Sequence, residues 1–160
     1  SGIDPMDIKK FDIRESTERV LNRFDYFRDN EGFSFVLNSP MEVYINGDQE
    51  KIGQAIYNLI SNAVNYSLDE KEIIINIKDE VEFVRFEVID KGIGISDEDM
   101  ENIWDRFYKI ENPDKVSTST GIGLSIVKSV LIAHKGIYGV ESELGKGSKF
   151  YFKLRKKALL

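Results

Sequence analysis

The 160-residue chain has no cysteine and a single histidine. Without thiols there is no disulfide framework, no thiolate zinc site and no cysteine nucleophile. One imidazole excludes a metal centre built on two or three histidines. Long apolar runs are also missing: Ile73-Ile74-Ile75 and Val130-Leu131-Ile132-Ala133 fall far short of the ~20 residues a membrane-spanning helix needs. A basic excess is absent too. With 28 acids against 22 bases the formal charge is −6, which excludes nonspecific nucleic-acid binding as the main task, because that requires net phosphate neutralisation. What is present is a folding composition, 41% hydrophobic and 11% aromatic. A chain of this size buries roughly two thirds of its surface on folding, enough for one core without covalent staples.

Patterning then divides the chain. Residues 1–8 are polar, carry Pro5 and read as a leader or linker. The body of the domain is expected over 9–155, with 156–160 as a tail. Phe11-Asp12-Ile13 suggests a short first strand, and Val20, Leu21, Phe24 and Phe27 predict a helix over 15–29. Strand alternation follows at 33–37 and 42–45. Asp48 is a good N-cap for a helix over 49–66 whose apolar stripe is Ile52, Ala55, Ile56, Leu59, Ile60, Ala63 and Val64. Strands are predicted at 73–78, 82–90, 137–142 and 148–154, and helices at 97–104, capped by Ser96, and at 121–134. Helices and strands mix without strict alternation. That pattern predicts an α+β fold, a two-layer α/β sandwich with a mixed sheet of about five strands and three main helices on one face.

Four local patterns carry chemistry. Asn58, Asn62 and Asn65 share one face of the 49–66 helix, opposite its apolar stripe. Asparagine costs a helix interior about half a kcal/mol relative to alanine, so three in a row read either as a solvated face or as a row of hard amide ligands, a donor type that suits Mg²⁺. Asp90-Lys91-Gly92-Ile93-Gly94-Ile95 follows an apolar strand; its glycines permit a sharp turn and close approach to a ligand, although an ordinary strand-ending turn also explains them. Gly121-Ile122-Gly123-Leu124 opens a helix, where free N–H groups and the positive dipole end favour phosphate. Gly145-Lys146-Gly147-Ser148 is not a phosphate-binding P-loop, because a glycine follows its lysine, and a hairpin turn accounts for it.

Taken in order, these motifs resemble the catalytic ATP-binding domain of sensor histidine kinases, in the Bergerat-type superfamily shared with gyrase and MutL. Residues 54–67, from Gln54 to Ser67, look like the N box; Asp90 to Ile95 like the G1 box; Ile103 to Lys109 like the F box; Gly121 to Lys128 like the G2 box; and Gly145 to Phe150 like the last glycine motif. The resemblance spans about residues 9–155. It implies that Asp90 takes the adenine amino group, that Gly92, Gly94 and Ile95 line the base, that Tyr66 stacks over it, and that Ser148 places a hydroxyl near it. It implies Asn62 as the Mg²⁺ ligand and Lys109 as the base that reaches the terminal phosphates. Thr120, Gly121, Gly123 and the Leu124 N–H would cradle phosphate, and 109–120 would form a flexible ATP lid. Asn58 stands where ATP-hydrolysing relatives carry a glutamate. An amide cannot serve as a general base at neutral pH, which favours transfer to another nucleophile over hydrolysis, with Asn58 and Lys109 as the catalytic pair.

Three positions depart from the family pattern: Asn65 replaces a phosphate-contacting lysine, Ser119 a glycine that opens the G2 box, and Lys135-Gly136 a glycine pair. His134 ends the helix after the lid and reads as structural, where a protonated ring would suit the helix dipole. The implied partners are a separate dimerisation domain carrying the phosphoacceptor histidine and a response regulator. Nucleic acid and direct membrane contact are not expected. The isolated domain is expected to be a monomer within a homodimeric parent, on the cytoplasmic side of a membrane-anchored protein. The alternatives are an anti-sigma-factor-type serine kinase and a nucleotide-sensing module that binds without transfer.

Overall fold

The Asp48 carboxylate, at the end of a strand, accepts the Lys51 N–H at 3.1 Å and starts the longest helix of the molecule. A computed structural model describes residues 5–110 and 121–157. Among them the order is β1 (Ile8–Asp12), α1 (Ile13–Asn22), α2 (Asp25–Asn30), β2 (Ser34–Asn38), β3 (Tyr44–Asp48), α3 (Gln49–Tyr66), β4 (Glu72–Asp79), β5 (Phe83–Asp90), α4 (Asp97–Asn102), α5 (Gly123–Ala133), β6 (Ile137–Glu143) and β7 (Gly147–Arg155). Helix α3 buries the seven apolar residues anticipated from its spacing.

The main sheet has the order β2-β4-β5-β7-β6. It is mixed: β2 runs parallel to β4 and the other neighbours are antiparallel. Register sets its layers. Ile77, Phe86, Phe152 and Tyr138 lie on one rung, and Ile75, Val88, Phe150 and Val140 on the next. Phe86 and Phe152 stack with centroids 4.8 Å apart. These side chains bury against α3, which packs between α1 and α5. Each large side chain so removed from water contributes about 2 kcal/mol. The opposite face carries alternating polar residues such as Asn76, Glu87, Arg85 and Lys149, as the two-residue strand period requires.

One expectation needs correction. The single helix over 15–29 is two helices, because the chain turns at Arg23 and Phe24. The Phe24 ring is buried beside Tyr57 at 5.2 Å and Phe35 at 5.8 Å, and that aromatic packing outweighs helix continuity. β3 lies outside the main sheet. It pairs antiparallel with β1, from Ile8 opposite Asp48 to Asp12 opposite Tyr44, as a separate two-stranded sheet. The Asp12 carboxylate clamps this corner by accepting the N–H groups of Arg14 and Val43, both at 3.0 Å.

Candidate functional site

The asparagines of α3 meet the start of α5. Asn58, Ser61, Asn62, Asn65 and Tyr66 line a cleft of about 60 Å³, with Ile103, Tyr108, Gly121, Gly123 and Leu124 on its other walls. The side-chain Nδ2 atoms of Asn58 and Asn62 are buried and have no hydrogen-bond partner among the described residues. A buried amide left unpaired costs about 1–3 kcal/mol, so two side by side mark a place built for a polar group from outside the chain. The Asn58 Oδ1 lies 3.7 Å from where a Cβ on Gly123 would stand, so the amide row faces the N-terminus of α5.

That helix end is chemically distinct. α1, α3 and α4 are each capped by an Asp or Ser side chain and carry an acid in the first turn; α5 has neither. Its N–H groups and positive dipole end are left for an anion. The entry to α5 is tied back to the preceding motif: Phe107, in a left-handed backbone conformation at φ +68°, donates its N–H to the Gly121 carbonyl at 2.8 Å. Gly121, at φ +77°, is obligatory there, since a Cβ would stand 2.9 Å from the Phe107 backbone. Tyr108 is fixed by its hydroxyl, which donates to Asp99 Oδ1 at 2.5 Å.

A second group of predicted residues assembles at the far end of α3. The Asp90 side chain is buried, and its Oδ1 accepts the Gly92 N–H at 2.9 Å. Gly92 has no room for a side chain: a Cβ would lie 1.9 Å from the Tyr66 carbonyl oxygen, which accepts the Ile93 N–H at 3.1 Å. Gly94, at φ +72°, presses on the β6–β7 hairpin, where a Cβ would stand 2.1 Å from the Glu143 oxygen. The Gly145 N–H reaches Ile93 O at 2.9 Å from the hairpin side. Ser148 lies opposite Asp90 in the β5–β7 register. Burial pushes the Tyr66 phenol up to about 12, and the nearby Asp90 and Asp99 charges act in the same direction; the ring is neutral at physiological pH.

The structure therefore brings Asn58, Asn62, Asn65, Tyr66, Gly121, Gly123 and Leu124 around one cleft, and joins Asp90, Gly92, Gly94, Ile95 and Ser148 to it through the Tyr66 carbonyl. Lys109 is exposed and does not line this cleft. Thr120 and most of the anticipated lid lie outside the described residues. One residue was missed. The Ser142 hydroxyl accepts the Ile95 N–H at 2.8 Å, donates to Gly147 O at 2.8 Å and pairs with Ser148 Oγ at 2.8 Å. No motif marked it, because only the β6–β7 register carries it to the loop. Among the described residues no cluster of three histidine or carboxylate side chains could hold a metal, and no helix is long and apolar enough to cross a membrane.

Fold and site together define a two-layer α/β sandwich with a polar cleft between a central asparagine-bearing helix and an uncapped helix N-terminus. The chain belongs to the histidine kinase-, DNA gyrase B-, and HSP90-like ATPase family, whose model matches residues 47–158; ATP binding is what that family implies. Among curated proteins it is 36% identical over 142 residues to the sensor histidine kinase WalK of Bacillus subtilis, covering 84% of this chain and 23% of that protein. It is 31% identical over 145 residues to the sensor-like histidine kinase SenX3 of Mycolicibacterium smegmatis, covering 90% and 38%. The chain thus spans well under half the length of these relatives. Among solved structures, the nucleotide-free catalytic domain of histidine kinase ThkA superposes with a TM-score of 0.84 at 25% identity, covering 95% of this chain and 97% of that one. The mycobacterial sensor histidine kinase MprB shares the fold with a TM-score of 0.80 at 21% identity, covering 96% of this chain and 100% of that one.

Proposed function

We propose that the cleft binds ATP with Mg²⁺ and that the chain presents the γ-phosphoryl group to a histidine on a separate helical dimerisation domain, which passes it to an aspartate of a response regulator. The observation that carries this reading is the pair of buried side-chain nitrogens of Asn58 and Asn62, without a hydrogen-bond partner among the described residues, on the cleft wall facing the uncapped start of α5. Asp90 accepts the adenine amino group, which selects ATP over GTP. Gly92, Gly94 and Ile95 keep the backbone close to the base, Ser148 supplies a hydroxyl beside it, and the neutral Tyr66 ring stacks on it. Gly121, Gly123 and the Leu124 N–H hold phosphate at the helix start, joined by Lys109 and Thr120 at the ends of the lid. Asn62 would hold Mg²⁺ through its amide oxygen, and the ion would supply positive charge to offset that of the triphosphate. In the transfer a histidine nitrogen forms a bond to the γ-phosphorus, the bond to the bridging oxygen breaks, and ADP leaves. Asn58 positions the reacting group without abstracting a proton, since an amide is no base at neutral pH. The parent is a membrane-anchored homodimer with this domain on the cytoplasmic side.

The test is incubation with γ-labelled ATP and Mg²⁺, with and without the acceptor domain of the parent. Acid-labile label on that domain's histidine is expected. Label on a partner serine, or tight nucleotide binding without transfer to any protein, overturns the histidine kinase reading. Asp90→Asn is expected to weaken ATP binding at least tenfold, and retained tight binding overturns the adenine assignment.

A further inference from the structure

The polar ends of three neighbouring strands form one rung. Asp90 on β5 lies opposite Ser148 on β7, and Ser148 lies opposite Ser142 on β6. Cross-strand partners project to the same face of a sheet. The three side chains therefore stand side by side, two residues beyond the apolar rung of Val88, Phe150 and Val140. Asp90 and Ser148 are buried there. A serine hydroxyl has one proton to give and two lone pairs to fill, and that inventory fixes the direction of every bond in the rung.

The Ile95 N–H can only donate, so Ser142 Oγ accepts it, at 2.8 Å. The Gly147 carbonyl can only accept, so Ser142 gives it the single hydroxyl proton, also at 2.8 Å. That acceptor is itself held in place: Gly147 sits at φ +91°, and a Cβ on it would stand 2.1 Å from the Asp90 carbonyl oxygen. In the remaining contact, between Ser142 Oγ and Ser148 Oγ at 2.8 Å, Ser148 must then be the donor. Ser142 is saturated. Ser148 has its proton engaged and offers lone pairs only.

We propose that Ser142 is a positioning residue for purine selection: by taking the Ser148 proton it fixes Ser148 as an acceptor beside the Asp90 carboxylate, and the two acceptors together select a purine with a 6-amino group over one with a 6-oxo group. This rests on the nucleotide reading of the site and deepens it. An exocyclic amino group carries two N–H bonds and satisfies both acceptors. An exocyclic oxygen would set lone pairs against lone pairs in a buried place, which is the costly kind of mismatch. Without Ser142 the Ser148 hydroxyl is free to turn, and it can then donate to an oxo group as readily as accept from an amino group.

The test is calorimetric titration with ATP, with inosine triphosphate, which carries the 6-oxo group, and with purine riboside triphosphate, which carries neither group and reports any general loosening of the loop. The proteins are the unmodified chain, Ser142→Ala, Ser142→Thr, Ser148→Ala and the double alanine variant. The preference for ATP over inosine triphosphate is expected to fall about five- to tenfold in Ser142→Ala. Ser142→Thr, which keeps the hydroxyl, is expected to retain it. Ser148→Ala is expected to lose it to a similar degree, and the double variant to lose no more than Ser148→Ala does, because Ser142 acts through Ser148. Equal weakening of all three nucleotides in Ser142→Ala would assign that residue to holding the Ile95 loop alone and overturns the proposal. Losses that multiply in the double variant overturn it as well. Ser148→Ala leaves both backbone bonds of Ser142 in place, so it stands as a test even where Ser142→Ala fails to fold, and an undiminished ATP preference there overturns the proposal. An unmodified chain that prefers neither nucleotide overturns the adenine assignment and this proposal with it. A preference in the unmodified chain that Ser142→Ala leaves unchanged overturns the proposal alone.

Discussion

The ring of His134 joins the end of α5 to the start of α3: its Nε2 accepts the backbone N–H of Asp48 at 3.0 Å, while Nδ1 lies 2.7 Å from the Val130 carbonyl oxygen. A backbone N–H can only donate and a carbonyl can only accept, so the ring is the neutral tautomer with its proton on Nδ1. The sequence reading of a structural histidine agrees with this geometry, but the helix-dipole argument for a charged ring does not. Asp48 also caps α3 and accepts the Asp7 N–H at 3.0 Å, so one imidazole supports the residue from which the site-bearing helix starts.

His134→Ala is therefore expected to destabilise the fold by about 1–3 kcal/mol, the cost of a partly buried N–H left unpaired. Chemical denaturation at neutral pH measures it. An unchanged midpoint and slope would remove His134 from the support of α3.

Glu87 predicts the acid response. Its buried carboxylate accepts Arg85 Nε at 2.8 Å and Asn76 Nδ2 at 3.1 Å, and Lys78 Nζ lies at 3.3 Å. Burial pushes its pKa up, but these bonds and the Lys149 charge outweigh it and hold the group at about 2. Because the folded value lies below the unfolded one, the stabilisation is present above about pH 4.5 and is lost as pH falls toward 2. Its size is on the order of 3 kcal/mol. Glu87→Gln is expected to flatten the stability–pH curve over that window, and a curve of unchanged steepness would show that other carboxylates carry the acid transition.

Lys135 occupies a left-handed conformation at φ +54° just beyond α5, with Lys135 N–H bonded to Ile132 O at 3.0 Å and Gly136 N–H to Leu131 O at 2.8 Å. That helix terminus favours glycine. Lys135→Gly is expected to raise stability by about 0.5–1 kcal/mol; a lower melting temperature would show that the lysine side chain matters more than the backbone.

Asn65 lines the cleft where the family pattern carries a lysine. Asn65→Lys adds a positive charge to the wall facing the α5 N-terminus and is expected to tighten ATP binding roughly three- to tenfold, with the gain shrinking as salt is raised. Titration at low and high salt checks both parts, and weaker binding would show that the asparagine amide itself serves the nucleotide.

Element type and the central helix were legible in the sequence because they follow from local rules. The 3.6-residue spacing of Ile52 to Val64 and the Asp48 cap defined α3 at both ends, and strand alternation identified the strands of the main sheet. What escaped was set by contacts between residues far apart in the chain. The break at Phe24 answers to Tyr57 and Phe35, and the pairing of β3 with β1 answers to register across 39 intervening positions, from Ile8 to its partner Asp48.

The site divides along the same line. By itself the sequence determined which side chains can act: amides on one helical face, a carboxylate ahead of a glycine turn, and glycines opening a helix, with no cysteine and one histidine to do anything else. Tertiary structure alone decided that Asn58 faces Gly123, that the Tyr66 carbonyl leaves Gly92 no alternative, and that Ser142 holds Ile95. The physical reason is that spacing fixes the face a side chain occupies on its own element, whereas the group opposite it is set by the packing of one element on another.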